Sequence, residues 1–109
     1  MQRTIAADEL RQLIASDAGI TVVDVRKPHD YEADPVRIPG ASRQLPDRVD
    51  EWMRDLADDR EIVVYCVHGH AVSNGVLDRL LSAGYRARLI DGGLEAWKQN
   101  GGATVTDAG

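Results

Sequence analysis

Cys66, His68 and His70 alternate within one short stretch, Gly69 separates the two histidines, and Cys66 is the only cysteine of the chain. A thiol with nearby imidazoles suits either nucleophilic chemistry or metal binding. As a nucleophile, sulfur acts as the thiolate, of which a free cysteine holds only a few per cent at neutral pH. Two features here favour the anion. A helical pattern starting near Ser73 offers unpaired backbone N–H groups and the positive end of its dipole. Gly69 is free to take a positive φ, so the loop can curl until successive N–H groups converge on one point. A sulfur anion, or an oxyanion beside it, would sit in that concavity, and His68 and His70 would add charge when protonated.

Two other readings stand beside this one. Cys66, His68 and His70, with His29 as a fourth donor, could ligate zinc. Residues two apart converge on one ion only in an extended segment, however, and not in a loop wrapped around a sulfur. A free cysteine also commonly does nothing but pack, although packing alone does not require the last position of a strand. A catalytic Cys–His pair would lack an evident third group to orient the imidazole.

The elements around the loop explain its placement. Ile62 to Tyr65 is an apolar, mostly β-branched run leading straight into Cys66, and Ile20 to Val25 is a second such run, the pattern of strands covered on both faces. Val72, Val76, Leu77, Leu80 and Leu81 form an amphipathic stripe after the loop, and Gly84 sits where a helix ends. Asp8 can cap a helix carrying Leu10, Leu13 and Ile14, and Pro28 can open a short one through Tyr31 and Glu32. Asp47 can start another with Val49, Trp52, Met53 and Leu56. Ala87 to Ile90 is a short strand, followed by the Asp91-Gly92-Gly93 turn and a last helix from Leu94 to Asn100. Strands and helices alternate, so crossover connections and a mainly parallel sheet follow. In such sheets sites gather beyond the carboxyl ends of the strands, where Cys66 lies. The Gly92-Gly93 pair lacks the spacing of a phosphate loop.

The totals restrict the function classes. A chain of 109 residues makes one α/β domain. Its formal net charge of −5 argues against nucleic acid as a partner. No run approaches a membrane span, and Met1 to Ile5 lacks the apolar stretch of an export signal. A single free thiol fits a reducing cytoplasm. The core is expected over residues 5–101, with 102–109 as a frayed tail.

In this order the motifs resemble those of a single-domain rhodanese. Val22-Val23-Asp24-Val25-Arg26 is similar to the family's D-V-R signature. Tyr31-Glu32 with Arg37-Ile38-Pro39-Gly40-Ala41 is similar to its E-Y…H-I-P-G-A segment, with arginine in place of histidine. Ile62 to Cys66 matches the strand into the active-site loop, and Asp91-Gly92-Gly93-Leu94-Glu95-Ala96-Trp97 the closing element. The resemblance implies a single rhodanese-like domain with about five short strands and helices on both faces. It also implies sulfurtransferase chemistry without a cofactor or metal. Cys66 would be the nucleophile, and Val67, His68, Gly69, His70, Ala71, Val72 and Ser73 would hold the substrate. Asp24 and Arg26 read as a strand-end ion pair supporting the loop, in preference to the alternative of direct substrate contact. The partners implied are a small donor such as thiosulfate and an external thiol or protein acceptor, because no second cysteine can resolve a persulfide.

The loop departs from the family pattern. It reads as seven residues, Cys66 to Val72, where six are usual, and Val72 stands where an arginine is common. Seven residues suit the related phosphatase and arsenate-reductase branch, but that branch needs the arginine to clamp its anion. The offset could instead be an irregular first helical turn around Ser73-Asn74-Gly75. A non-catalytic redox-sensing or binding module is the remaining alternative.

Overall fold

The β-branched runs and amphipathic stretches condense into a sheet with helices on both faces, seen in a computed structural model that describes residues 3–16, 19–68 and 71–106. In chain order the elements are β1 (Thr4–Ile5), α1 (Ala7–Ala15), β2 (Ile20–Asp24), α2 (Pro28–Ala33), β3 (Val36–Arg37), β4 (Ser42–Arg43), α3 (Val49–Trp52), β5 (Glu61–Tyr65), α4 (Ala71–Ser82), β6 (Ala87–Ile90), α5 (Gly93–Gln99) and β7 (Val105–Thr106). Five strands form one sheet in the order β1-β6-β5-β2-β4, and every neighbouring pair is parallel. β5 lies in the centre, paired with β2 on one side and β6 on the other.

Alternation along the central strands divides the core into two layers. Val22, Val63 and Tyr65 pack against Leu10 of α1 and Leu94 and Trp97 of α5. Val23, Ile62 and Val64, one residue out of phase, pack against Trp52, Val76, Leu77 and Leu80 on α3 and α4. The period of two in a strand meets the three-to-four spacing of the helices on each side. Each large aliphatic side chain buried this way contributes roughly 1.5–3 kcal/mol. A continuous apolar strand in the middle of the sheet is therefore held from both faces.

Four expectations change in detail. Ala6, not Asp8, occupies the N-cap of α1; Asp8 lies in the first turn, where its charge meets the helix dipole. The helix expected from Asp47 to Leu56 is a four-residue α-helix between two 3-10 turns, Pro46–Arg48 and Met53–Asp55. Side chains take up its turn carbonyls: Trp52 Nε1 donates to the Leu45 oxygen at 2.7 Å and the Tyr85 hydroxyl to the Met53 oxygen at 2.6 Å. Val36–Arg37 forms a strand where none was expected.

The fourth change concerns the tail. Residues 102–106 are tied down instead of fraying. The Gly102 N–H donates to the Trp97 oxygen at 2.9 Å, and Trp97 Nε1 donates to the Ala103 oxygen at 2.8 Å. β7 then pairs antiparallel with β3, Val105 opposite Arg37. Residues 107–109 lie outside the described part. No helix among the described residues is long and apolar enough to cross a membrane.

Candidate active site

Cys66 follows the last residue of β5, and the strand's alternation decides where its side chain goes. Ile62 and Val64 face α4, and Cys66 continues that phase. Its Sγ lies 3.2 Å from the hydroxyl of Ser73, and both side chains are buried. Ser73 is in the first turn of α4 and precedes Val76, Leu77 and Leu80 on the sheet-facing side of the helix. A small hydroxyl at a position that would otherwise carry an apolar core residue is thus placed against the sulfur. Helix α4 begins at Ala71, so Ala71, Val72 and Ser73 belong to its first turn and not to the loop. The expected loop from Cys66 to Val72 runs through residues 69 and 70, which lie outside the described residues.

The carbonyls of the segment are held from the other side. The Leu94 N–H donates to the Cys66 oxygen at 2.9 Å, and the Glu95 N–H to the Val67 oxygen at 3.1 Å. Both donors are in the first turn of α5, where backbone N–H groups have no intrahelical partner. Gly93 makes the approach possible. Its φ is 66°, and a Cβ there would stand 2.6 Å from both of those oxygens. There are no cis peptides in the described chain. In a trans peptide the N–H points opposite to the C=O, so the amides of Val67 and His68 are directed away from α5.

A pocket of about 250 Å³ opens over the sulfur, lined by Lys27, Asp30, Cys66, Val67, His68, Ala71 and Val72. The expected substrate-contacting residues Val67, His68, Ala71 and Val72 therefore share one cavity with Cys66. Ser73 lies beneath it, against the sulfur. Gly69 and His70 are outside the described residues. Lys27 and Asp30 were not anticipated. Their only sequence signal was position, directly after the D-V-R segment and at the start of α2. Among the described residues no group of three or more His, Cys, Asp or Glu side chains could hold a metal ion.

Asp24 and Arg26 lie beside the site and do not line it. Both are fully or almost fully buried, at 0% and 1% exposure. Arg26 Nη2 and Nε reach the two Asp24 oxygens at 2.7 to 3.1 Å, and the Arg26 N–H donates to Asp24 Oδ1 at 3.0 Å. Two more guanidinium hydrogens go to the oxygens of Asp34 (2.9 Å) and Val36 (2.5 Å). The plane also lies over the ring of Tyr31, 5.0 Å from its centroid, with Arg43 at 4.6 Å from the same ring. Burial works against the charge of Arg26, but its hydrogen bonds to Asp24 and the opposite charge hold the guanidinium above its usual value.

The pair is linked to the site through Tyr65. Asp24 is in register with Tyr65, and the Val25 N–H donates to the Tyr65 oxygen at 2.9 Å, one residue before Cys66. The Tyr65 hydroxyl accepts the Ile38 N–H at 3.2 Å. Burial first, and the Asp24 carboxylate second, push this phenol well above its ordinary value.

Comparison with known proteins agrees with this architecture. A family model described as "Rhodanese-like domain" matches residues 6–100. A full-length protein from Lactobacillus plantarum superposes with a TM-score of 0.87 at 25% identity, over 95% of this chain and 88% of that one. A rhodanese-related protein from Thermoplasma volcanium gives 0.81 at 26% identity, over 95% and 98%. A Rhodopseudomonas palustris protein of unknown function, described as a possible tyrosine phosphatase, gives 0.79 at 24% identity, over 94% and 84%, a likeness of fold.

Proposed function

Because the chain belongs to the rhodanese-like domain family, we propose that it is a sulfurtransferase or sulfur carrier working through a persulfide on Cys66. The thiolate attacks the outer sulfur of a sulfane donor. With thiosulfate, the new S–S bond forms on Cys66 as the donor's S–S bond breaks, and sulfite leaves with the bonding pair. The products are the Cys66 persulfide anion and sulfite, so charge and atoms balance. A thiophilic acceptor then attacks the outer sulfur and takes it, restoring the thiolate. With cyanide the product is thiocyanate; with an external thiol it is that thiol's persulfide. The chain has a single cysteine, so the acceptor comes from outside.

The observation that carries this reading is the position of the sulfur at a strand's carboxyl end, open to a pocket on one side and 3.2 Å from a hydroxyl on the other. The Ser73 hydroxyl can donate to the thiolate, or to the inner sulfur of the persulfide. Ala71 and Val72 give the outer sulfur an apolar wall. Incubation with thiosulfate or polysulfide should add about 32 Da, one sulfur, on the Cys66 thiol in intact-mass measurement. The adduct should vanish in Cys66→Ser and on treatment with cyanide. Absence of the adduct with every sulfane donor tried overturns the reading.

An oxyanion enzyme is the weaker alternative. Such chemistry asks for a bidentate cation around the anion, and the pocket wall at the start of α4 carries Ala71 and Val72. Aryl phosphate hydrolysis that is lost in Cys66→Ser would favour it.

A further inference from the structure

The pocket over Cys66 is apolar on its α4 side, and among the described residues its one permanently charged cation comes from a different element. Lys27 follows Arg26, whose side chain is locked in the buried ion pair, and precedes Pro28, which opens α2. The Lys27 carbonyl accepts the N–H groups of Asp30 and Tyr31, both at 3.1 Å, so its backbone is fixed as the N-cap of that helix. Lys27 lines the pocket together with Cys66. Among the described residues the ammonium makes no hydrogen bond or ion pair. Asp30, on the same wall, lies 3.3 Å from Nε2 of the exposed His29. His68 also lines the pocket but carries charge only when protonated.

From this placement we propose that Lys27 is the residue that recognises the charge of the sulfur compound. It selects small anionic donors, whose oxyanion end pairs with the ammonium while the outer sulfur meets Sγ. An ammonium on a flexible stem is a point charge, not a fork. It therefore accepts sulfonate, thiosulfate or carboxylate ends without the geometric demand of an arginine clamp. The proposal deepens the sulfur-transfer reading and rests on it for the identity of the donor.

Two isosteric alkylating agents test the charge directly: anionic iodoacetate and neutral iodoacetamide, each reacting with Cys66 at low salt. The readout is the ratio of their rates. Lys27→Met should lower the iodoacetate-to-iodoacetamide ratio about three- to fivefold, the effect of one unit charge across a pocket of this size. Lys27→Arg should hold it within about twofold, and Asp30→Asn should raise it, since removing a negative charge acts in the opposite sense. In the cyanide assay, Lys27→Met should raise KM for thiosulfate with kcat little changed. A ratio in Lys27→Met equal to that of the parent chain overturns the proposal. Elemental sulfur, an uncharged donor, separates the two readings. If the thiolate still opens the sulfur ring in Lys27→Met, leaving its atoms on Cys66 as a cyanide-labile polysulfide chain, sulfur transfer stands whatever the ratio shows. If the ratio shifts but no donor forms an adduct in the parent chain, the anion site stands and the sulfur chemistry falls.

Discussion

Replacing Arg26 with methionine separates a supporting role from a substrate-binding one. Methionine fills much of the same volume but supplies no hydrogen bonds. Asp24 would remain at 0% exposure without its cation, and the oxygens of Asp34 and Val36 would each lose the guanidinium donor, although the Asp34 oxygen keeps the Val36 N–H. Removing one partner of a buried ion pair costs roughly 3–5 kcal/mol. The two carbonyls are only part-buried, so water can replace the lost guanidinium bonds and they add at most about 1 kcal/mol, and protonation of Asp24 relieves part of the total. A domain of this size holds about 5–15 kcal/mol in all, so the variant should remain folded at room temperature with a thin margin. At roughly 4–8 °C per kcal/mol, the melting temperature should fall by roughly 12–40 °C. Urea unfolding followed by the fluorescence of Trp52 and Trp97 measures the loss. Asp24→Asn combined with Arg26→Met should recover part of it, because the stranded charge is then gone. Below the melting transition KM for the donor should be unchanged, since neither residue lines the pocket. A loss under about 1 kcal/mol together with a raised KM would refute the supporting role and make Arg26 a substrate contact.

Ser73→Ala should slow persulfide formation about tenfold, the worth of one hydrogen bond to a charged sulfur, while the melting temperature moves by only a few degrees; donor-dependent stopped-flow kinetics read it. Gly93→Ala should lower both stability and persulfide yield, because its Cβ would press on the Cys66 and Val67 oxygens at 2.6 Å from a backbone of positive φ. Denaturation midpoints and intact mass on the same sample measure both. Tyr65 contributes to the loss of stability at alkaline pH. Its folded-state value is raised, so above about pH 10 the unfolded chain loses its proton first and stability falls as pH rises, with a slope of up to about 1.4 kcal/mol per pH unit. Below that range both states keep the proton and the contribution is constant. Tyr65→Phe should flatten the slope between pH 10 and 11.5 in urea titrations, and an unchanged slope would assign the loss to another group.

How much of this was readable beforehand follows from which interactions are local. The strand into Cys66, the stripe of α4 and the parallel sheet rest on periodicities within ten or so residues, and these were legible. The ion pair of Asp24 with Arg26 was legible too, as two residues of one strand end. The Ser73 contact was visible only as membership of the loop; that its hydroxyl would meet the sulfur depends on the phase of α4 against β5. Lys27 and Asp30 reach the pocket from an element about forty residues earlier in the chain, and no local pattern connects them to Cys66. The pairing of β7 with β3 joins residues roughly seventy apart. Two-residue strands carry no period of their own, so the tail read as frayed.

The chemistry also depends on how two helix N-termini are shared out. Both α4 and α5 begin next to Cys66, and each start presents N–H groups without intrahelical partners. If both were open, an anion could be drawn away from the sulfur. The first turn of α5 is occupied instead, its Leu94 and Glu95 amides taken by the Cys66 and Val67 oxygens. That bonding has a second effect. It turns the peptide oxygens, which would repel a thiolate, toward α5, and so leaves the opposite edge of the same peptides to present N–H groups. Gly93 is the condition for both effects, since any side chain there would hold α5 off the two carbonyls. The closing glycine pair is therefore as much a part of the sulfur's surroundings as the loop that follows the cysteine, although it contributes no side chain to the pocket.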